Sequence, residues 1–274
     1  MADAGPAAQD LLLPARFRAW FERRGWTPRP HQLAMIAKAR AGRDTLLIAP
    51  TGGGKTLAGF LPSLIELSER PLANVRPGLH TLYISPLKAL AVDVERNLTA
   101  PILEMGLPVT AESRTGDTGL ARRQRQRATP PDILLTTPEQ LALLCAWEGA
   151  RLFFERLSCV ILDEIHTLHA SKRGDLLALH LARLQQLAPA LRRVGLSATV
   201  DDPEVITRWM GFSPPPQEHP LPREWERGTA GGTPGGGEGE PPQSGAGEVL
   251  SRAADGAAHG DSPFPPPALR PAVP

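Results

Sequence analysis

Asp163-Glu164-Ile165-His166 follows directly on the apolar run Cys159-Val160-Ile161-Leu162, which delivers two adjacent carboxylates at the C-terminal end of a buried strand. That is where nucleotide hydrolases hold Mg2+ and activate water. Taken alone the tetrapeptide is also an ordinary charged strand end or helix start. Upstream, Ala49-Pro50-Thr51-Gly52-Gly53-Gly54-Lys55-Thr56 follows the strand-like stretch 45–48 and precedes a helical pattern through Leu57, Phe60, Leu61, Leu64 and Ile65. Three consecutive glycines let the backbone turn its N–H groups inward around a phosphate, and the helix that begins near Lys55 adds its positive dipole end. Lys55 is placed to reach the β and γ phosphates and Thr56 to ligate Mg2+, while Thr51, Gly52, Gly53 and Gly54 form the cradle. Ala49 stands where such loops usually begin with glycine.

Those groups need a scaffold that brings strand ends to one edge. Strand patterns recur at 45–49, 81–85, 109–112, 133–137, 159–163 and 194–197, with helical patterns at 57–69, 88–100, 120–128, 139–145 and 175–187 between them. The alternation predicts an α/β fold with a doubly wound, mainly parallel sheet over 31–212. Its ligands should gather beyond the carboxyl ends of the strands. An N-terminal helical segment lies within 1–30, where Phe17, Trp20 and Phe21 recur at helical spacing before the Pro-rich turn Gly25-Trp26-Thr27-Pro28-Arg29-Pro30-His31-Gln32.

From Ser213 to Pro274 the composition changes: 14 prolines and 11 glycines fall in 62 residues. Such a stretch buries too little apolar surface to offset the entropy of ordering it, so 213–274 is expected to be a disordered tail. The first 212 residues carry 26 basic and 21 acidic side chains, a mild surplus that suits a polyanionic partner without requiring one. Cys145 and Cys159, in apolar surroundings with no companion ligand, are expected to be buried reduced thiols of a cytoplasmic protein. No stretch approaches the roughly 20 apolar residues of a membrane span. His80, His169, His180, His219 and His259 show no pairing and read as structural or incidental.

Three further segments follow strand patterns: Ser85-Pro86-Leu87-Lys88-Ala89-Leu90, Arg114-Thr115-Gly116-Asp117 and Thr136-Thr137-Pro138-Glu139. Each offers hydroxyls, helix-start amides or a cation, which is what a nucleic-acid backbone needs, although Thr-Pro-Glu is equally an ordinary helix start. Leu196-Ser197-Ala198-Thr199 closes the last strand, and its two hydroxyls are placed to hydrogen-bond toward His166 and the carboxylates, coupling nucleotide state to domain movement. The basic run 122–127 reads as a solvated helix surface, with a phosphate-facing helix as the alternative.

Taken in order, A-P-T-G-G-G-K-T, S-P-L-K-A-L, R-T-G-D-T, T-T-P-E-Q-L, D-E-I-H and G-L-S-A-T resemble the first motor domain of a superfamily 2 DExH helicase, which implies a RecA-like P-loop NTPase domain over 31–212. R-T-G-D-T at 114, Ser171-Lys172-Arg173-Gly174 and R-G-W-T-P at 24 narrow the likeness to the Lhr-type group, in particular its ligase-associated DEXH branch, over roughly 14–212. The resemblance implies that Gln32 reads adenine, that Lys55 and Thr56 serve the phosphates and Mg2+ of ATP, and that Asp163 holds the metal through water. It implies that Glu164 orients and deprotonates the attacking water. Pro86, Lys88, Arg114, Thr115, Gly116, Thr137 and Pro138 fall in the family's strand-tracking motifs, and His166, Ser197 and Thr199 in its coupling motifs. Members are ATP-dependent translocases, and the ligase-associated branch is linked to DNA repair, so DNA is expected as the track ahead of RNA.

Such helicases also use a second motor domain that supplies arginines to the transferring phosphoryl group. No second strand series and no arginine pair of that kind follows Thr199, so the chain is expected to be a truncated product, or one completed by a second motor domain in trans, and to hydrolyse ATP weakly alone. The competing readings are an RNA helicase fragment and a non-enzymatic nucleotide- or nucleic-acid-binding module.

Overall fold

The computed structural model describes residues 12–71, 78–211 and 248–252. Six strands form a parallel sheet: β1 (Asp44–Ile48), β2 (Thr81–Ile84), β3 (Ala111–Arg114), β4 (Ile133–Thr136), β5 (Cys159–Leu162) and β6 (Arg192–Ser197). Their spatial order is β3-β4-β2-β5-β6-β1, and a seventh strand, β7 (Glu248–Arg252), pairs antiparallel with β1. Of the tail expected to be disordered, β7 is thus an ordered exception; 213–247 and 253–274 lie outside the described residues.

The central strands β2, β4 and β5 are mainly apolar and buried along their whole length because both faces are covered. In β5, Cys159 and Ile161 enter one core while Val160 and Leu162 enter the other, as the two-residue pleat requires. The first core lies under α1 (Ala15–Arg23), α2 (Pro30–Arg40), α3 (Lys55–Ser68) and α4 (Lys88–Glu104), and takes Phe17, Leu33, Phe60 and Ile102. The second lies under α6 (Pro138–Cys145), α7 (Ala150–Phe154), α9 (Lys172–Leu187) and α10 (Pro203–Trp209), and takes Leu141, Phe153, Leu177 and Ile206. Between these elements come α5 (Leu120–Ala128) and the one-turn α8 (Ile165–Leu168). The N-terminal α1 shares the first core with the sheet, and Arg24 ties it to Glu104 at the end of α4 beside Trp20 and Trp26.

Two local outcomes differ from the sequence reading. β3 begins and ends two residues later than its apolar pattern suggested, because Thr110 uses its carbonyl and side chain on Ile133 and Asp132, and pairing with β4 runs on through Arg114 opposite Thr136. The basic run in α5 is a helix surface exposed at Arg122, Gln124 and Arg125, but its guanidiniums are held by protein partners. Arg122 and Arg125 bind Glu112, Arg123 bonds the carbonyls of Thr115 and Gly116, and the Arg127 guanidinium sits 5.0 Å over the Trp147 ring. Neither cysteine is bridged; Cys159 is buried as expected, whereas Cys145 is half-buried, its thiol pushed up to about 12 by burial.

Candidate functional site

Because the six strands are parallel, the loops after β1, β2, β3, β4, β5 and β6 all emerge on one edge, and every motif named above sits there. The loop after β1 is shaped by its glycines. Gly52 and Gly54 have φ of 76° and 74°, which only glycine adopts cheaply, and a Cβ on Gly53 would lie 2.7 Å from the Pro50 carbonyl oxygen. The turn is closed by the Gly53 N–H donating to Pro50 at 2.9 Å, and α3 starts at once with Lys55, which is buried. Next to it is a cavity of about 470 Å³ lined by Trp26, Arg29, Gln32, Gly54 and Leu57. Gln32 is buried in the first turn of α2; its Oε1 accepts the Arg29 N–H at 2.9 Å, and its Nε2 packs on Gly54. The side chain thus joins the start of α2 to the glycine loop at the cavity wall.

Asp163, just past β5, is buried, and burial pushes its carboxyl above the usual carboxylate range. Against that, the Tyr83 hydroxyl donates to its Oδ2, the Glu164 N–H donates to its Oδ1 at 2.9 Å, and the Lys55 charge favours the ionised form, while Glu164 opposes it. Tyr83, in β2 and stacked on Phe60 at 5.2 Å, is a residue the sequence reading missed. It stands among ordinary apolar strand residues, and its role depends on β2 lying beside β5. Burial, followed by the neighbouring Asp163 charge, pushes its own hydroxyl far up, so it stays a donor. Tyr83→Phe is expected to lower Mg2+-dependent ATP affinity about tenfold or more, as loss of a second partner to a metal-holding carboxylate does; a calorimetric titration checks it.

Glu164 is the sole non-glycine among the described residues with positive φ, 48°. A left-handed glutamate is strained, and such strain gathers at functional positions. It turns the chain sharply into α8, so that Glu164 and His166 stand together, Oε2 to Nδ1 at 3.4 Å. The Ser197 hydroxyl donates to the Thr199 carbonyl at 2.7 Å, which leaves Ser197 Oγ to accept from His166 Nδ1 at 2.9 Å. Of the two hydroxyls expected to hydrogen-bond here, the one on Ser197 does; Thr199 contributes its carbonyl while its side chain is exposed.

The other three loops are partly as anticipated. Lys88 is exposed and its Nζ lies 2.7 Å from Asp117, an ion pair joining the loop after β2 to the loop after β3. Gly116 is exposed, and Thr115 is buried with its N–H donating to Thr118 Oγ1. Thr137 and Pro138 start α6, whose first-turn Glu139 pairs at 2.5 Å with Arg173, the second residue of α9. Of the seven residues expected to contact the strand, Pro86, Arg114, Thr115, Thr137 and Pro138 are buried in this conformation, and Lys88 and Gly116 are exposed. Arg114 is only 1% exposed, because as the last residue of β3 its side chain points under the sheet, where Nη1 donates to the Arg123 carbonyl. Burial, then the charges of Arg127 and Arg123, pull its guanidinium down to about 10. It holds α5 beneath the loop, and α5 in turn holds the loop through Arg123.

Known proteins place this arrangement. The chain is 44% identical over 210 residues to a Lhr helicase/probable uracil glycosylase of Mycolicibacterium smegmatis, covering 72% of the chain and 14% of that protein. It is 41% identical over 210 residues to an ATP-dependent helicase Lhr-Core of Methanothermobacter thermautotrophicus, covering 71% of the chain and 24% of the relative. The solved structure of Mycobacterium smegmatis helicase Lhr bound to ssDNA and AMP-PNP superposes with a TM-score of 0.66 at 42% identity, over 73% of this chain and 26% of that one. The chain thus spans about a quarter or less of the length of these relatives. The DEAD/DEAH box helicase family model matches residues 29–206, from the start of α2 into α10, and the chain belongs to that family.

Proposed function

We propose that this chain is the first motor domain of an Lhr-like ATP-dependent helicase or translocase, working on nucleic acid, DNA ahead of RNA, in a repair setting. The observation that carries it is the convergence of the Lys55 loop, the strained Asp163-Glu164 turn and the His166–Ser197 bond on one edge of the sheet. A plain Gly-rich turn would need none of the last two.

The residues fit Mg-ATP. The cradle has no room for a Cβ at Gly53, so backbone amides approach closely there, and the oxygen donors are Thr56 and Asp163, a hard set with one carboxylate. That suits a metal shared with phosphate oxygens. When bound, Mg2+ would neutralise charge on the phosphates. Asp163 would hold it, kept ionised and oriented by Tyr83 and the Glu164 N–H. Gln32 faces the cavity that takes the base, and Glu164 would accept the proton of the attacking water. His166 and Ser197 would report the state of Glu164 to the end of β6. Gly116 and Lys88 are the exposed strand-facing groups, and a second motor domain would supply the arginines that complete hydrolysis.

The test is calorimetric titration of the chain with Mg-ATP, followed by hydrolysis with and without saturating single-stranded DNA or RNA. Binding is expected, with DNA competing better than matched RNA; absence of binding overturns the reading. Binding with no strand effect on hydrolysis would instead leave a nucleotide-binding module. Glu164→Gln is expected to keep Mg-ATP binding within a few fold and to lower any hydrolysis at least about 100-fold, the usual loss of a positioned base.

A further inference from the structure

We infer that Asp117 is an internal counter-anion for Lys88: it holds the ammonium while no strand is bound and yields it to a strand phosphate on binding. This rests on the nucleic-acid reading above and names a residue that regulates the same site. Lys88 is the first residue of α4, after β2, and Asp117 lies in the loop between β3 and α5. In the sheet, β2 and β3 flank β4, so the Nζ–Oδ2 pair at 2.7 Å joins the loops on either side of that strand. Beside it is a cleft of about 310 Å³ whose charged residues are Lys88, Asp93, Arg96 and Asp117. Arg96 lies 3.9 Å from Asp93, so each cation of the cleft faces an anion and the four charges cancel.

An exposed ion pair contributes little when both partners must be ordered to form it. Here the backbone of one partner is ordered in advance. The Asp117 N–H donates to Thr115 Oγ1 at 3.3 Å, the Thr115 N–H donates to Thr118 Oγ1 at 2.9 Å, and Arg123 of α5 donates to the Thr115 and Gly116 carbonyls. The side chains themselves stay open to solvent, Lys88 62% and Asp117 72% exposed, so a competing anion can part them at small cost. Affinity for a strand comes largely from cations that exchange their counterions for phosphate. A cation already neutralised by a carboxylate releases no counterion, and the displaced carboxylate then repels the phosphate that replaced it. The Lys88 contact is therefore weak and quick to reverse, which suits a motor that must release each phosphate before it takes the next.

The experiment is fluorescence-anisotropy titration of the full chain with a labelled single-stranded DNA oligonucleotide across a salt series, for the parent, Asp117→Asn, Lys88→Ala and the double variant. Asp117→Asn keeps the size of the side chain and the backbone N–H and removes only the charge. It is expected to tighten binding about fivefold at low salt, roughly the worth of one exposed charge contact. The slope of log affinity against log salt should steepen by about 0.7, the share of one phosphate on a single strand. In the Lys88→Ala background the same substitution should gain no more than about twofold, the part due to repulsion alone, because no cation is freed. Equal affinity in Asp117→Asn and the parent overturns the inference and leaves strand binding standing. A gain of the same size with and without Lys88, or one with an unchanged salt slope, also overturns it, since Asp117 would then not act through Lys88. Failure of the parent and all variants to bind at low salt overturns the nucleic-acid reading, and this inference with it.

Discussion

Lys55→Ala is expected to lower Mg-ATP affinity by about 100-fold or more, below the range of ordinary titration for a single domain. Lys55 is the first residue of α3 and only 7% exposed, so its ammonium is held at the glycine loop instead of sampling solvent. Hydrogen bonds from a confined cation to phosphate are charge-assisted, and losing two of them removes about 3 kcal/mol. Alanine keeps the helix start, since it is the best helix former, so the loop itself should survive. The matched control is Lys88→Ala, which removes a cation that is 62% exposed and paired with Asp117. It should leave nucleotide affinity unchanged and weaken single-strand binding only, most visibly at low salt. Equal Mg-ATP affinity in Lys55→Ala and the parent would remove the phosphate-binding role from the loop.

Gly174→Ala should produce the largest loss of stability of any single methyl addition at a described glycine. A Cβ there would stand 2.0 Å from the Leu168 carbonyl oxygen and 2.8 Å from its carbon, both backbone atoms that no rotamer change can move. The approach exists because Ser171 caps α9, accepting the Gly174 N–H at 3.1 Å and donating to the same Leu168 carbonyl at 2.7 Å, which folds the first turn of α9 onto the end of α8. Relieving the clash means separating α8 from α9, at about 3 kcal/mol or more. For a domain this size the melting temperature should fall by roughly 10 °C. Since α8 begins straight after Glu164, hydrolysis should fall with it. Gly116→Ala is the contrast, with open space around the added atom, and should leave the melting temperature within about 1 °C. Similar melting of the two variants would contradict the packing account.

The sheet was legible because its strands are continuous apolar runs ended by motif residues. Five of six strand patterns share at least four residues with Asp44–Ile48, Thr81–Ile84, Ile133–Thr136, Cys159–Leu162 and Arg192–Ser197. The exception, β3, is an edge strand of sequence Ala-Glu-Ser-Arg, whose pairing is decided by hydrogen bonds to β4 and not by hydrophobicity. Short helices such as α7 and α8 were invisible, since four or five residues carry no readable period. The pairing of Glu248–Arg252 with β1 was invisible too, as nothing in a Pro/Gly-rich context marks which edge a strand will find.

At the candidate site, residue type alone set the chemistry. Consecutive glycines before Lys55-Thr56, and two carboxylates after an apolar strand, admit few other uses, because the backbone freedom and the charges are properties of the residues themselves. What the tertiary structure decided was where each side chain goes once neighbouring strands and helices are in place. It turned Arg114 inward to brace α5, reduced Thr199 to a carbonyl and set Tyr83 against Asp163. Those outcomes depend on burial and on contacts between residues as many as 80 positions apart, for which no local spacing in the chain carries a signal.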